Sequence, residues 1–290
     1  MLSQLIISGL AAGSLYALVA LAMVIIYKTS EVPNFAQGEM AMLSTYIAYV
    51  LLVAESIPPL YALIGSLVFA FILGMTLEFL FMRRADNPTI LDLIIITLGM
   101  QLILHGVAGW KWGADQKDFP LPVSDTDVIQ LGGIVISYLN LLTMGLALLL
   151  MFLLFLFFKF TRLGIAMKAT QQNPMAARIN GIRTGRILSL TWGMSSVIGA
   201  IAGILFAPTS TLDPHLMWDP LIKGFAAAVM GGMNTLVGAA LGGYLLGLLE
   251  NLFGAYISLE FKSIVAFAAI VLVLWFRPSG LFGKHYERRV

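Results

Sequence analysis

Apolar stretches of membrane-spanning length recur along this chain, and only short polar segments separate them. They lie at 2–27, 35–54, 60–82, 89–110, 138–160, 187–207, 221–232, 236–257 and 263–276. A helix needs about 20 residues to cross the hydrocarbon layer of a bilayer, and the backbone polar groups inside that layer must be satisfied within the spanning element. The pattern predicts an all-α polytopic membrane protein with about eight full transmembrane helices and one short or broken helix, at 221–232.

The composition excludes an ordinary soluble domain. Hydrophobic residues make up 59% of the 290 residues and charged residues only 11%, whereas charged residues make up about 25% of soluble domains. The net charge of +2 gives no indication of nucleic-acid binding. The chain has no cysteine, so no disulfide or thiolate site is expected. The first apolar run lacks a cationic start and is too long for a signal peptide, so we expect it to remain as a span.

The positions of the lysine and arginine residues predict the orientation of the chain. Thirteen of them fall on one side of the predicted spans, namely Lys28, Arg83, Arg84, Lys159, Arg162, Lys168, Arg178, Arg183, Arg186, Arg277, Lys284, Arg288 and Arg289. Four fall on the other side, namely Lys111, Lys117, Lys223 and Lys262. Since short cytoplasmic loops are enriched in these residues, the N-terminus is expected to be external. The segment 111–137 is then external, and 278–290 is a cytoplasmic tail.

The two parts of the chain on either side of residues 160–186 follow a similar order. Each has a span with a Gly-x-x-x-Gly spacing, then a polar break with proline, then an apolar run that begins Phe-Ala. An odd number of spans separates the two starts, so the second part would cross in the opposite direction. Inverted repeats of this kind place the substrate path of a transporter at their interface. We predict repeats at about 1–110 and 187–277 within one transmembrane domain, 1–290.

Polar side chains inside apolar spans are costly unless they face a partner or a cavity, so each is a functional candidate. The candidates are Glu39, Glu78, Asp92, Gln101, His105, Asn140, Glu250 and Asn251. Glu78, Asp92 and Asn140 lie close to span ends, where a structural role is favoured. Glu39 is different, because it follows Pro33 within a polar cluster. It lies either on a broken helix beside a path or in the first turn of an ordinary helix.

A second candidate element is the glycine-rich stretch at 230–243. The Gly231-Gly232 pair would end the half-length helix, and a re-entrant element lining a path is one interpretation. Close packing of two helices through small residues is the other. The chain has no His-Glu-x-x-His, Gly-x-Ser-x-Gly or phosphate-binding glycine motif. We therefore expect no catalytic residues, no metal and no cofactor in this chain.

Three stretches, in this order, resemble the LivH-type permease of branched-chain amino acid ABC importers. They are Asn34-Phe35-Ala36-Gln37-Gly38-Glu39, the segment with Met167-Lys168-Ala169-Thr170, Ala176-Ala177 and Gly181-Ile182, and the glycine run at 230–243. The resemblance extends over nearly the whole chain. It implies a permease subunit in the cytoplasmic (inner) membrane of a bacterium that translocates branched-chain or other hydrophobic amino acids.

The resemblance also implies the partners of the chain. These are a second, homologous permease subunit in a heterodimer, two ATP-binding subunits that hold ATP-Mg, a periplasmic or lipid-anchored substrate-binding protein, and membrane lipid. ATP hydrolysis would occur on the separate ATP-binding subunits, and nothing covalent would happen to the substrate.

The resemblance assigns the segment at about 160–186 as a cytoplasmic coupling segment that docks on an ATP-binding subunit. Ala169, Ala176 and Ala177 would form its packing face, and Asn173-Pro174 and Gly181 would end its helices. The candidate coupling residues are Lys168, Ala169, Thr170, Asn173, Ala176, Ala177, Arg178, Gly181 and Arg183. The candidate residues of the substrate path are Asn34, Phe35, Gln37, Gly38, Glu39, Gly231, Gly232 and Asn234.

The sequence departs from the family at two places on this candidate path. Gln37 stands where a histidine is expected, and Asn234-Thr235 with Val237 stand where Gly-Ser and a proline are more usual. These differences affect the substrate prediction, since related permeases serve urea or short amides. An ion-coupled secondary transporter, in which Glu39 or Glu250 titrates, is a further alternative, and an intramembrane enzyme is a third.

Overall fold

The structure is a computed structural model that describes residues 2–86, 88–120, 123, 127–131 and 134–283. Most of the predicted cytoplasmic tail, with Lys284, Arg288 and Arg289, lies outside this part of the chain. The helices are α1 (Leu2–Ser30), α2 (Gln37–Tyr49), α3 (Pro59–Leu77), α4 (Ile90–Trp112), α5 (Tyr138–Phe160), α6 (Arg162–Gln172), α7 (Pro174–Ile179), α8 (Thr184–Phe206), α9 (Trp218–Gly231), α10 (Leu236–Tyr256) and α11 (Ile264–Phe276). Single π-helical turns, Val50–Ala54 and Glu78–Met82, extend α2 and α3.

The predicted all-α polytopic membrane architecture is confirmed. Within the described residues, α1, α2, α3, α4, α5, α8 and α10, with their extensions, are the seven helices long and apolar enough to cross a membrane. The eighth predicted span, at 263–276, agrees with α11 within one residue, but α11 has 13 residues and at about 20 Å by the usual helical rise it is too short to count as a full span. A turn at 258–263 precedes it and Pro278 follows it. The predicted short helix is α9, with 14 residues.

The centre of the bundle consists of α1 and α8, which pack against each other. α1 also packs against α9 and α10, whereas α8 also packs against α2 and α3. Each central helix therefore has its main partners in the opposite half of the chain. α4, α5 and α11 lie at the periphery and have mostly exposed apolar side chains, as expected of surfaces that face lipid. Two inverted repeats would produce this arrangement, in which each central helix packs mainly against helices of the other half. The repeat boundaries remain a prediction.

Glycines allow the central helices to approach each other at backbone distance. A Cβ atom on Gly243 of α10 would lie 2.5 Å from the backbone nitrogen of Ala17 in α1, and one on Gly247 would lie 2.4 Å from the carbonyl oxygen of Gly9. At the other crossing, a Cβ atom on Gly74 of α3 would lie 2.4 Å from the carbonyl oxygen of Trp192 in α8. Small residues at such crossings are typical of membrane helices, where packing rather than the hydrophobic effect holds helices together.

The described part of the segment between α4 and α5 contains a β-hairpin. An antiparallel hairpin of β1 (Val128–Leu131) and β2 (Ile134–Ser137) pairs Val128 with Ser137. The Gln4 side chain donates to the Val135 carbonyl over 2.7 Å and accepts from its amide over 2.9 Å. Lys117 pairs with Leu212 in a single antiparallel bridge. The hairpin, the start of α1 and the segment after α8 therefore lie at the same end of the bundle.

Candidate functional site

Two interruptions of the helical chain bring the starts of α2 and α9 together inside the bundle. Residues 31–36 separate α1 from α2, and residues 210–217 separate α8 from α9. A Cβ atom on Gly38 would lie 3.2 Å from a methyl carbon of Leu221, and the rings of Phe35 and Phe225 are 5.9 Å apart. Asn34 and Gln37 at the start of α2 are buried, whereas Trp218 and Asp219 at the start of α9 are exposed. The unpaired backbone groups at the start of α2 must therefore be satisfied by protein side chains or a cavity.

An amide network holds the first interruption in place. Asn34 Nδ2 donates to Gln37 Oε1 over 3.3 Å, and Asn34 Oδ1 accepts from the backbone amide of Ala36 over 3.0 Å. Gln37 Nε2 donates to the carbonyl oxygen of Ser195 over 3.2 Å, and the Ser195 hydroxyl lies 2.9 Å from Gln37 Oε1 and 2.7 Å from the carbonyl oxygen of Ala22. Asn34 and Gln37 therefore tie the start of α2 to α8 and α1, and both are buried.

Glu39 lies in the first turn of α2, and its buried carboxylate lies beside a cluster of three ring side chains. Trp218 Nε1 donates to Glu39 Oε1 over 3.2 Å, and His105 Nδ1 of α4 is 3.8 Å from the same oxygen. The His105 ring is 4.9 Å from the His215 ring and 5.6 Å from the Trp218 ring. Gln101 also faces the carboxylate. The broken-helix interpretation of Glu39 thus fits the geometry, since the helix begins inside the bundle.

Sequence reasoning missed Trp218 and His215. The available signal was the stretch His215-Leu216-Met217-Trp218 directly before the short helix, in the polar break of the second predicted repeat. Aromatic and imidazole side chains at such a break are candidates to contact the helix start across the repeat interface. The prolines of this break predict that the helix is interrupted, but they do not indicate which rings contact the start of α2.

Lys223, one of the four lysines counted on the predicted external side, has its charge compensated by acidic side chains inside the bundle. It is buried in α9, where its ammonium group contacts Asp219 at 2.7 Å and Glu250 of α10. The Tyr16 hydroxyl of α1 donates to the other Glu250 oxygen over 2.7 Å. α9 begins at Trp218, so Asp219 and Lys223 fall one turn apart on the same helix face. The lysine tolerates burial because these carboxylates compensate its charge.

Glu78 and Asp92 have the structural roles that were predicted for them. Arg83 donates to Glu78 at 2.9 Å, and the Ser189 hydroxyl of α8 also contacts this carboxylate. Asp92 lies in the first turn of α4, where its carboxylate accepts from the backbone of Thr89 over 2.9 Å in a reciprocal cap. Neither carboxylate is a candidate for ligand binding.

The structure does not bring the two halves of the predicted path together. Gly231, Gly232 and Asn234 lie at the far end of α9, about 20 Å from its start by the usual helical rise. Gly232 has φ of +105°, and a Cβ atom on Gly231 would lie 1.9 Å from the carbonyl oxygen of Gly238. The Lys28 ammonium donates to the carbonyl oxygen of Asn234 over 3.2 Å. Close backbone packing therefore accounts for these glycines.

The predicted coupling segment forms two short helices, α6 and α7. Asn173 caps α7, since its side chain accepts from the Ala176 amide over 2.9 Å, and Pro174 occupies the first helical position. Gly181 ends the segment with φ of +80°. The predicted helix ends are thus confirmed. Arg178 Nε donates to the Thr184 hydroxyl over 2.9 Å, which fixes α7 to the start of α8.

The outward face of this segment differs from the predicted alanine face. Ala177 is buried against the bundle, Ala169 is half-buried, and of the three alanines only Ala176 is exposed. The outward apolar side chains are Met175, 65% exposed, and Ile179, 80% exposed. The cationic residues Lys168, Arg178 and Arg183 are exposed, and Thr170 is buried. A helix as short as α7 gives no clear sequence periodicity, so its buried face was assigned incorrectly.

Comparison with known proteins gives a consistent result. The family described as "Branched-chain amino acid transport system / permease component" matches residues 5–274. The high-affinity branched-chain amino acid transport system permease protein BraD of Pseudomonas aeruginosa is 31% identical over 99% of this chain and 97% of its own length. The corresponding permease protein LivH of Escherichia coli is 29% identical over 99% of this chain and 97% of its own length.

A solved structure described as PsaBC from Streptococcus pneumoniae in complex with Fab has a similar fold. Its TM-score is 0.50 at 16% sequence identity, over 96% of this chain and 92% of that one. Identity this low shows the fold alone. The family match and the full-length similarity to BraD together show that this chain belongs to the family of permease components of branched-chain amino acid transport systems.

Proposed function

We propose that this chain is the membrane-spanning permease subunit of an ATP-driven importer that translocates branched-chain or other hydrophobic amino acids. The observation that carries the proposal is the similarity to BraD over nearly the full length of both chains. A bundle in which the starts of α2 and the short helix α9 pack together supports a role in translocation. The permease moves its substrate without covalent chemistry.

The assembly that we propose contains a second, homologous permease subunit, two ATP-binding subunits that hold ATP-Mg, and a periplasmic or lipid-anchored substrate-binding protein. The chain lies in the cytoplasmic membrane of a bacterium, with its N-terminus external and its C-terminus cytoplasmic. The distribution of charge supports this orientation, because the exposed cationic residues of α6 and α7 lie at the opposite end of the central helices from the hairpin.

The substrate path in this proposal runs past the starts of α2 and α9. Asn34, Phe35, Gln37, Gly38 and Glu39 lie there. The turn with Gly231, Gly232 and Asn234 would lie nearer the cytoplasmic end of the path. The buried carboxylate of Glu39 and the rings of Trp218 and His105 support this route, since polar groups at this depth are favourable only beside a partner or a wet cavity.

Uptake by the assembled transporter tests the proposed function. The chain, its partner permease, the two ATP-binding subunits and the binding protein are reconstituted in proteoliposomes, and uptake of radiolabelled leucine is measured. We expect uptake that requires ATP and persists after the proton gradient is collapsed. Uptake that stops on collapse would instead favour an ion-coupled transporter. Uptake of urea or acetamide but not leucine would show that the substrate class is wrong.

The outward face of α7 gives a second prediction within the same assay. Ile179→Glu replaces an apolar side chain that is 80% exposed with a carboxylate. Exposed apolar surfaces of this kind often mark contacts with other proteins. We expect leucine uptake to fall at least tenfold, or about 1.4 kcal/mol of lost coupling, while the protein still inserts and remains monodisperse in detergent.

Two further variants control this experiment. Ile90→Glu changes another exposed isoleucine, in the first turn of α4, where an acidic residue is favourable, and it should leave uptake unchanged. Ala177→Glu should reduce the amount of folded protein, because Ala177 is buried. Full uptake by the Ile179→Glu variant would contradict the assignment of α7 to the contact with an ATP-binding subunit.

A further inference from the structure

Three glutamates in the bundle are almost completely buried, and they differ in their charge partners. Glu39, Glu78 and Glu250 are each 1% exposed. Glu78 is paired with Arg83 and Glu250 with Lys223, so each of these carboxylates has a permanent cation beside it. Among the described residues, Glu39 has no lysine or arginine partner. Within the described part of the chain, the one ion-pair contact of Glu39 is with His105, at 3.8 Å.

The contacts of Glu39 also leave part of the carboxylate without a partner. Oε1 accepts from Trp218 over 3.2 Å. Oε2 is buried and has no hydrogen-bond partner within the part of the chain that the structure describes, and the same is true of His105 Nδ1. An ionised carboxylate that is buried without a cation is unfavourable by several kcal/mol. The environment of Glu39 therefore lacks one positive charge that the other two glutamates have.

The surroundings of Glu39 suit an organic cation. The rings of His105, His215 and Trp218 cover the carboxylate on one side, and the faces of aromatic rings attract cations. Trp218 is 47% exposed, and the His105 side chain is 28% exposed. These rings therefore lie between the buried carboxylate and the surface of the bundle. No three metal-ligating side chains come together here or elsewhere among the residues that the structure describes.

We propose that Glu39 binds the α-ammonium group of the transported amino acid, with the Trp218 ring against the same group. This inference rests on the proposed function and names the group of the substrate that the site recognises. The ammonium would supply the missing charge for as long as the substrate occupies the site. Trp218 belongs to α9 and Glu39 to α2, so the bound ammonium would join the two broken helices.

Direct binding to the assembled transporter tests this proposal. The complex of the chain with its partner permease and ATP-binding subunits is placed in nanodiscs without the binding protein. Binding is measured for L-leucine and for 4-methylpentanoate, which is leucine without its amino group. We expect the wild-type complex to prefer leucine by at least about tenfold, the range expected for one charge-assisted contact. Glu39→Gln should remove most of this preference, and Glu39→Asp should retain part of it.

A matched control and a second site variant complete the experiment. Glu78→Gln changes a glutamate that is equally buried but already paired, and it should leave the preference for leucine unchanged. If Glu39→Gln does not assemble, the Trp218 variants decide the question. Trp218→Leu should weaken leucine binding at least threefold, whereas Trp218→Phe, which keeps a ring, should weaken it less.

The failure of this inference differs from the failure of the proposed function. An unchanged preference for leucine in Glu39→Gln, or wild-type affinity in both Trp218 variants, would overturn the ammonium site even if ATP-dependent leucine uptake is normal. A wild-type complex that transports leucine but shows no saturable binding in nanodiscs would overturn it as well. A wild-type complex that transports no hydrophobic amino acid would refute the proposed function itself.

Discussion

Replacing Lys223 by methionine is expected to destabilise the protein by about 3–5 kcal/mol, the usual effect of removing one partner from a buried ion pair. Lys223 and Glu250 are both buried, and the variant would leave the Glu250 carboxylate with only the Tyr16 hydroxyl. Asp219 is more than half exposed, so water can solvate it in the variant. Thermal unfolding of the purified protein in detergent measures the change.

Two variants test whether charge is the cause of this loss. Combining Lys223→Met with Glu250→Gln removes both charges, and we expect it to recover most of the stability. Lys111→Met removes a lysine that is exposed at the end of α4 and should change the unfolding temperature little. A stable Lys223→Met variant, or a double variant no more stable than the single one, would show that the ion pair does not hold α9 to α10.

Gly243→Val is expected to destabilise the protein by a similar amount, at least about 3 kcal/mol, which is at the upper end of the range for overpacked cores. A Cβ atom at this position would lie 2.5 Å from the backbone nitrogen of Ala17 and 2.6 Å from its Cα atom. Backbone atoms cannot move aside as a flexible side chain can, so α1 and α10 would have to separate. The measurement is the yield of monodisperse protein together with its unfolding temperature.

The matched control is Gly106→Ala in α4. A Cβ atom on Gly106 has no neighbour within 4 Å, so only helix propensity changes, and alanine should stabilise the helix by up to about 1 kcal/mol. If Gly243→Val and Gly106→Ala gave the same unfolding temperature, close approach of α1 and α10 would not be important for stability.

The sequence predicted those features that depend on local composition. The lengths of the apolar runs predicted the spans. Asn173-Pro174 and Gly181 predicted the ends of α7, because capping and positive φ are properties of single residues and their neighbours. The structural interpretation of Asp92 was confirmed for the same reason. The bounds of α11 agree with the prediction within one residue, but its 13 residues are too few for the full span that was counted there.

Features that depend on contacts between distant segments could not be predicted in this way. Counting charges placed Lys223 on the external side but gave no information about its partner Glu250, which lies on the next helix. The rings around Glu39 come from α4 and from the break before α9, so only the folded arrangement shows them. Ala177 was placed on the wrong face because six residues are too few to define a buried side.

The central helices α1 and α8 each pack mainly against helices of the other half of the chain, and this arrangement has a consequence for biosynthesis. The ribosome makes α1 long before α9 and α10, and it makes α2 and α3 long before α8. Contacts between segments so distant in sequence form late and slowly. The glycine-containing surface of a newly inserted α1 therefore remains without its helix partners until the end of translation. Until then it is covered by lipid or by the insertion machinery. Since each half lacks the main packing partners of its own central helix, we expect a nascent chain arrested midway to be more susceptible to membrane proteases than the full chain.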